Sequence, residues 1–202
     1  MMVKRVNGFV WPMADTECAR AVFKTLPDLD QAMAFCDQRR LAVQAGGNCG
    51  VWPAHLAKTF DRVVTFEPDA ENFACLRLNV PANVTPIRAA LGDRATQVGL
   101  RRVKGNCGAH YVTERGDEAA MVRLDDQGLE GVDLIVLDVE GYECMALSGA
   151  DAILRRDHPV IMIEDKGLSE KYGVMRGAAE RWLGEEYGYA VAGRINRDII
   201  LK

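Results

Sequence analysis

No run of apolar residues in this 202-residue chain approaches the length needed to cross a bilayer, and no Cys-x-x-Cys pair occurs among its six cysteines. Cys18, Cys36, Cys49, Cys75, Cys107 and Cys144 lie at least thirteen residues apart, so their spacing offers no zinc motif. A chain of this size needs no disulfide staples, and the six read as free thiols of a reducing compartment. Positive charge is not in excess either. The 25 Lys and Arg face 29 Asp and Glu, and a formal charge of −4 leaves no electrostatic footprint for nucleic acid or an anionic membrane. The opening MMVKRVNGFVWP starts basic but lacks the apolar core of a secretory signal. A cytoplasmic protein with neither a membrane nor a nucleic-acid partner is therefore expected. Internal repeats and low-complexity linkers are also missing, and nothing in the pattern fixes an oligomeric state.

What the chain has is alternation. Helical spacing at Ala19, Val22, Phe23 and Leu26, then at Leu29, Met33 and Cys36, predicts two short helices divided at Pro27. Beyond residue 40 the apolar runs LAVQAG, RVVTFEP, NVTPIRA, DLIVLDV and PVIMIED alternate with helical segments such as DAENFACLRLNV and YECMALSGADAIL. Runs apolar on both faces belong to parallel strands covered by helices, which makes the fold α/β. Between TQVGLRRV and AAMVRL the chain reads as short antiparallel strands around the loop KGNCG, and GYAVAGRINRDIILK as a terminal hairpin on the sheet edge. The length fits one globular domain over residues 41–202 behind an N-terminal helical cap over residues 1–40.

The stretch AVQAGGNCGVWP ends a predicted strand in three glycines within five positions and feeds a helix opened by Pro53. Unpaired backbone N–H groups and a helix N-terminus then face the crevice of the sheet, where ligands bind. The dinucleotide fingerprint G-x-G-x-x-G, started at Gly46, would require glycine at 48 and 51, but Asn48 and Val51 stand there. The next strand ends in Glu67, twenty-one residues after Gly46, a spacing that places an acid on a ribose diol. Charge-assisted hydrogen bonds from both hydroxyls would hold it.

With IRAALGD, VRLDD, DLIVLDVEGYECMALSGADAIL and PVIMIED following, residues 41–166 resemble the FkbM family of S-adenosylmethionine-dependent methyltransferases, the FEP and LDVEG motifs being the distinctive part. The resemblance implies a Rossmann-like sheet of seven mostly parallel strands with a C-terminal antiparallel hairpin and helices on both faces. It also implies methyl transfer from S-adenosylmethionine, usually to a hydroxyl oxygen of a small polar or carbohydrate-like acceptor. Carried over by position, Gly46, Gly47, Asn48 and Gly50 match the glycine motif, Glu67 with Pro68 the ribose acid, Ala89 and Ala90 the adenine wall, and Asp138 the amino and sulfonium end. Gln44 stands where the family commonly has an acid, so its contact with the cofactor would lack charge.

Transfer to oxygen requires positioning and a general base. Asp138, Glu140, Glu164, Asp165 and Lys166 gather at the predicted ends of two strands, where burial and like charge raise carboxyl pKa values. Asp138, Glu140 and Glu164 are the candidate bases, with His110 beyond KGNCG a further one. The same acids have the hard oxygens that suit a divalent cation, although the sequence identifies no metal site. Two other readings remain open at this level: a nucleotide-dependent oxidoreductase, disfavoured by the broken fingerprint, and a cofactor-binding module without turnover.

Overall fold

The computed structural model describes residues 2–202. It opens with a hairpin that the predicted helical cap did not include. Strands β1 (Val3–Val6) and β2 (Phe9–Pro12) pair antiparallel about Asn7 and Gly8, both at positive φ. Asn-Gly between alternating residues is a strong hairpin signal, so the cap is helical only from residue 18 onward. There α1 (Cys18–Ala21) runs through one tight turn into α2 (Leu26–Ala34), and Pro27 occupies the first turn of α2, where its missing N–H costs nothing.

The apolar runs then become β3 (Leu41–Ala45), β4 (Arg62–Phe66) and β5 (Val84–Ile87), joined by α3 (Val51–Leu56) and α4 (Ala70–Asn79). A small sheet follows, made of β6 (Ala90–Leu91), β7 (Thr96–Arg101), β8 (Tyr111–Thr113) and β9 (Ala119–Val122), with β7 antiparallel to both β8 and β9 as the sequence indicated. The main sheet resumes with β10 (Val132–Leu137), α5 (Glu143–Ser148), α6 (Asp151–Asp157), β11 (Val160–Glu164) and α7 (Ala178–Tyr187). It closes on the hairpin β12 (Val191–Ile195) and β13 (Asp198–Leu201).

Seven strands lie in the order β12-β13-β11-β10-β3-β4-β5. The five from β11 to β5 run parallel, and β13 lies antiparallel to both β11 and β12. Side chains alternating along β3 and β10 send Val43, Ile135 and Leu137 to a core under α5, α6 and α7, and Ala42, Leu134 and Val136 to a core under α2 and α3. Both faces are covered, which is why these strands carry no polar alternation. The opening hairpin docks on α4 through Asn79, whose carboxamide exchanges 2.8 Å hydrogen bonds with both backbone groups of Val10 and donates to the Cys49 carbonyl at 2.7 Å. Trp11, fully buried, is brought over the carboxyl ends of the parallel strands by this contact.

Candidate active site

At those strand ends opens a cavity of about 540 Å³. Its floor is the turn after β3. The amides of Gly46 and Gly47 both donate to the Phe66 carbonyl, at 3.1 and 2.9 Å, which folds the turn back on β4. Gly46 has φ +84°, and a Cβ there would collide with the Asp138 carbonyl. A Cβ on Gly47 would lie 2.6 Å from Leu76 Cδ1 and 2.7 Å from Thr65 Oγ1. The missing side chains therefore admit the neighbouring loop, strand and helix rather than a visitor. Gly50, at φ +92°, opens α3 against Val80, just past the end of α4, and does not line the cavity.

Glu67 follows β4 and is 5 % exposed. Its Oε2 accepts from the Asn48 amide at 2.7 Å and its Oε1 from the Asp69 amide at 2.8 Å, fixing the carboxyl against the glycine turn. Burial pushes its pKa up to about 8, with the two N–H donors opposing the rise. Asp69 caps α4 through the amides of Glu71 and Asn72 and pairs with Arg102 Nε at 2.6 Å. Pro68, Ala89 and Ala90 line the adjoining wall. Gln44 does not reach the cavity. Fully buried in β3, it accepts from Thr65 Oγ1 at 2.5 Å and donates to the Ala45 carbonyl at 3.0 Å, and so serves as an interstrand brace.

Opposite Glu67, the ends of β10 and β11 bring Asp138, Glu140 and Glu164 together, with carboxylate oxygens within 4.8 Å of one another. Lys166 Nζ sits 2.5 Å from Glu164 and 3.4 Å from Glu140, so an ammonium already neutralises part of this cluster. Asp138 Oδ1 is buried without a hydrogen-bond partner. Burial, then the charge of Glu164, holds the Asp138 carboxyl well above the usual carboxylate range, and burial raises Glu140 as well. Lys166 is raised in turn by the acids around it, against its own burial. His110 also lines the cavity, its Nδ1 accepting from the Val103 amide at 3.2 Å. Asp165 turns away, bound to the amides of Gly167 and Gly177 at 3.1 and 3.2 Å.

Three further residues escaped sequence reasoning. Glu143, buried at the start of α5, accepts from the amides of Val139 and Gly141 at 3.2 and 3.1 Å and so holds the loop that presents Asp138 and Glu140. Burial carries its pKa to about 7. Arg197 and Asp198 reach the cavity because β13 runs antiparallel to β11, with Asp198 directly opposite Glu164. Burial and the charge of Glu164 push Asp198 to about 7. Pairing the predicted terminal hairpin with PVIMIED in antiparallel register would have found it.

A reversed hairpin on a parallel sheet, with a glycine turn and an acid at successive strand ends, defines the Rossmann-like methyltransferase class. The methyltransferase FkbM domain profile matches residues 45–191, and the chain belongs to that family. Among solved structures, the FkbM methyltransferase of Methylobacillus flagellatus KT is 20% identical, with a TM-score of 0.55 over 83% of this chain. This chain spans only 44% of that protein's length. Precorrin-6y C5,15-methyltransferase from Geobacter metallireducens GS-15 is 13% identical, with a TM-score of 0.54 over 96% of this chain and 91% of its own. TYW2 of M. jannaschii, solved in complex with AdoMet, is 14% identical, with a TM-score of 0.53 over 99% and 82%. At these identities the structural likeness shows the fold. No curated protein matches the chain significantly. Among the described residues no helix is long and apolar enough to cross a membrane.

Proposed function

We propose that the cavity binds S-adenosylmethionine and that the chain methylates a hydroxyl oxygen of a small polar or carbohydrate-like acceptor. The observation that carries this reading is the pairing of two differently prepared acids across one cavity: Glu67, fixed by two backbone amides beside the glycine turn, and Asp138, whose buried Oδ1 lacks a partner. An orphaned buried oxygen is costly unless a donor or cation arrives, and a methionine ammonium or a sulfonium is such a group. Glu67 would hold the ribose diol, and Pro68, Ala89 and Ala90 the adenine. When bound, S-adenosylmethionine supplies an electrophilic methyl group. The chain's own share is to orient the acceptor and remove its proton. Glu164, 2.5 Å from Lys166 Nζ, is the base we assign, with Glu140 and His110 next in reach of the same space. Asp198 and Arg197 complete the wall on the acceptor side.

Calorimetric titration with S-adenosylhomocysteine, with NAD as the contrast, tests this directly. Leaving the ribose hydroxyls buried without their partner costs about 1–3 kcal/mol, so Glu67→Ala is expected to weaken binding roughly five- to hundredfold. Equal affinity in a folded Glu67→Ala protein, or a preference for NAD, overturns the reading.

A further inference from the structure

Cysteines that lie far apart in sequence meet beside the glycine turn. Cys18 comes from α1, Cys49 from the turn itself, Cys75 from α4 and Cys107 from the loop between β7 and β8. Cys18, Cys49 and Cys107 line the cavity, and the cavity reading given above leaves all three without a task. The thiols of Cys18 and Cys107 bracket one carboxamide: Asn48 Nδ2 donates to Cys18 Sγ at 3.2 Å, Cys107 Sγ donates to Asn48 Oδ1 at 3.5 Å, and a Cβ on Gly108, next to Cys107, would lie 2.7 Å from Cys18 Sγ. A third residue aligns their backbones, since Asp15 Oδ1 accepts from both the Cys18 amide, at 3.2 Å, and the Cys107 amide, at 3.1 Å. Around them the Thr16 amide donates to the Gly105 carbonyl at 2.8 Å, and Asn106 Nδ2 donates to Glu17 at 3.2 Å. Two segments remote in the chain are thus clasped over the turn with their thiols on one carboxamide.

We propose that Cys18 and Cys107 are a redox-active pair that hydrogen peroxide closes to a disulfide, locking the N-terminal segment to the β7–β8 loop over the cavity. Peroxide is small enough to reach thiols through the cavity that both of them line. Cys107 is the attacking group. The neighbouring thiols draw its pKa below the ordinary thiol value, against burial and the nearby Asp15 carboxylate, so the proton it gives to Asn48 Oδ1 is readily released and the thiolate is the nucleophile. Its sulfur takes one peroxide oxygen as the O–O bond breaks; hydroxide leaves and is protonated to water, and Cys107 becomes a sulfenic acid. The Cys18 thiol then attacks that sulfur, the S–O bond breaks, and the Cys18 proton leaves with the departing oxygen as a second water. Two thiols are oxidised by two electrons, and one peroxide is reduced to two waters. Cys18 is the resolving partner because it is the more exposed of Cys107's two thiol neighbours, whereas Cys49 is fully buried and also reaches Asn72 Oδ1 at 3.9 Å.

This pairing rests on the thiol geometry alone and holds whatever the cavity binds. The test treats the purified wild-type chain with stoichiometric hydrogen peroxide, blocks the remaining thiols and maps the peptides by mass spectrometry, alongside melting and amide hydrogen exchange. A Cys18–Cys107 crosslink that dithiothreitol reverses is expected, with slowed exchange over residues 13–25 and 104–110. The bond would enclose nearly half the chain, so Tm is expected to rise by about 5 °C or more. Cys18→Ala and Cys107→Ser should abolish both the crosslink and the Tm rise, while Cys144→Ser should retain them. A crosslink through Cys49, sulfinic acid at Cys107 without a crosslink, or unchanged thiols in the wild-type chain each overturns the proposal, and none of these readouts depends on a variant that folds poorly.

Discussion

The acids at the ends of β10 and β11 are alike in composition and unlike in circumstance. Glu164 has an ammonium 2.5 Å away, while Asp138 is buried with an oxygen that nothing satisfies. Burial, then the charge of Glu164, holds the Asp138 carboxyl well above the usual carboxylate range. An amide keeps the size and one acceptor oxygen of a carboxylate but cannot take a proton. Glu164→Gln should therefore bind S-adenosylhomocysteine normally and turn over about 10²–10⁴-fold more slowly, whereas Asp138→Asn should lose affinity as well. Steady-state rates across pH 6 to 9 with an identified acceptor check this, and a wild-type rate in both Glu164→Gln and Glu140→Gln would move the role to His110. At Gly46 the outcome is decided by backbone. A β-branched residue there would meet the Asp138 carbonyl at a dihedral it rarely adopts, so Gly46→Val is expected to lower Tm as well as abolish binding, as melting and calorimetry together would show. The structure places Gly46, Asn48 and Glu67 on the lining of one cavity, and it packs neighbouring chain against Gly46 and Gly47. Close approach reads the same in sequence whether the neighbour is a ligand or another loop, and only the fold distinguishes them. Gln44 illustrates the same limit, because its partner Thr65 lies on another strand.

Among elements, those legible in sequence were the ones with a period. The parallel strands announced themselves as unbroken apolar runs, and β12 and β13 as two runs about a turn. The opening hairpin was missed because its short strands stand beside a longer stretch with helical spacing, although Asn7-Gly8 marks the turn. Glu143 shows how one side chain supports an element's function. By accepting two loop amides it shapes the turn in which Glu140 adopts φ +56° and Gly141 φ +100°. Its carboxyl ionises near its ordinary 4.5 in the unfolded chain and at about 7 in the folded one. Between those values the folded state retains the extra proton, so this group's contribution to stability falls as pH rises and levels off above about 7. Glu143→Gln keeps an accepting oxygen and does not titrate. The Tm of the variant minus that of the wild type should then climb between pH 4.5 and 7 and stay flat beyond, by an amount equivalent to at most about 3 kcal/mol. A difference that is flat across this window would mean that Glu143 is ionised throughout.

For the whole molecule, charge and enclosure bear on the same question: what kind of acceptor can approach. The chain carries a formal charge of −4, and the side of its cavity at the ends of β10 and β11 and the start of β13 is walled by Asp138, Glu140, Glu164 and Asp198 against Lys166 and Arg197. A phosphate backbone entering there would meet more carboxylates than cations, while hydroxyl groups find acceptors in abundance. The densest basic run, Arg101, Arg102 and Lys104, lies on the small sheet and the loop after it, and Arg102 is drawn onto Asp69 rather than left free for phosphate. Affinity for nucleic acid comes chiefly from counterions released by clustered Lys and Arg, and a surface without that cluster gives up most of it. We therefore expect the chain to show no submicromolar binding to duplex DNA, duplex RNA or a structured RNA at about 150 mM salt, and any weak association to vanish on modest salt addition. Fluorescence anisotropy over a salt series measures both quantities. A tight complex whose log affinity falls steeply with log salt would reveal several phosphate contacts made together, and would transfer the acceptor from small hydroxylated molecules to a polynucleotide.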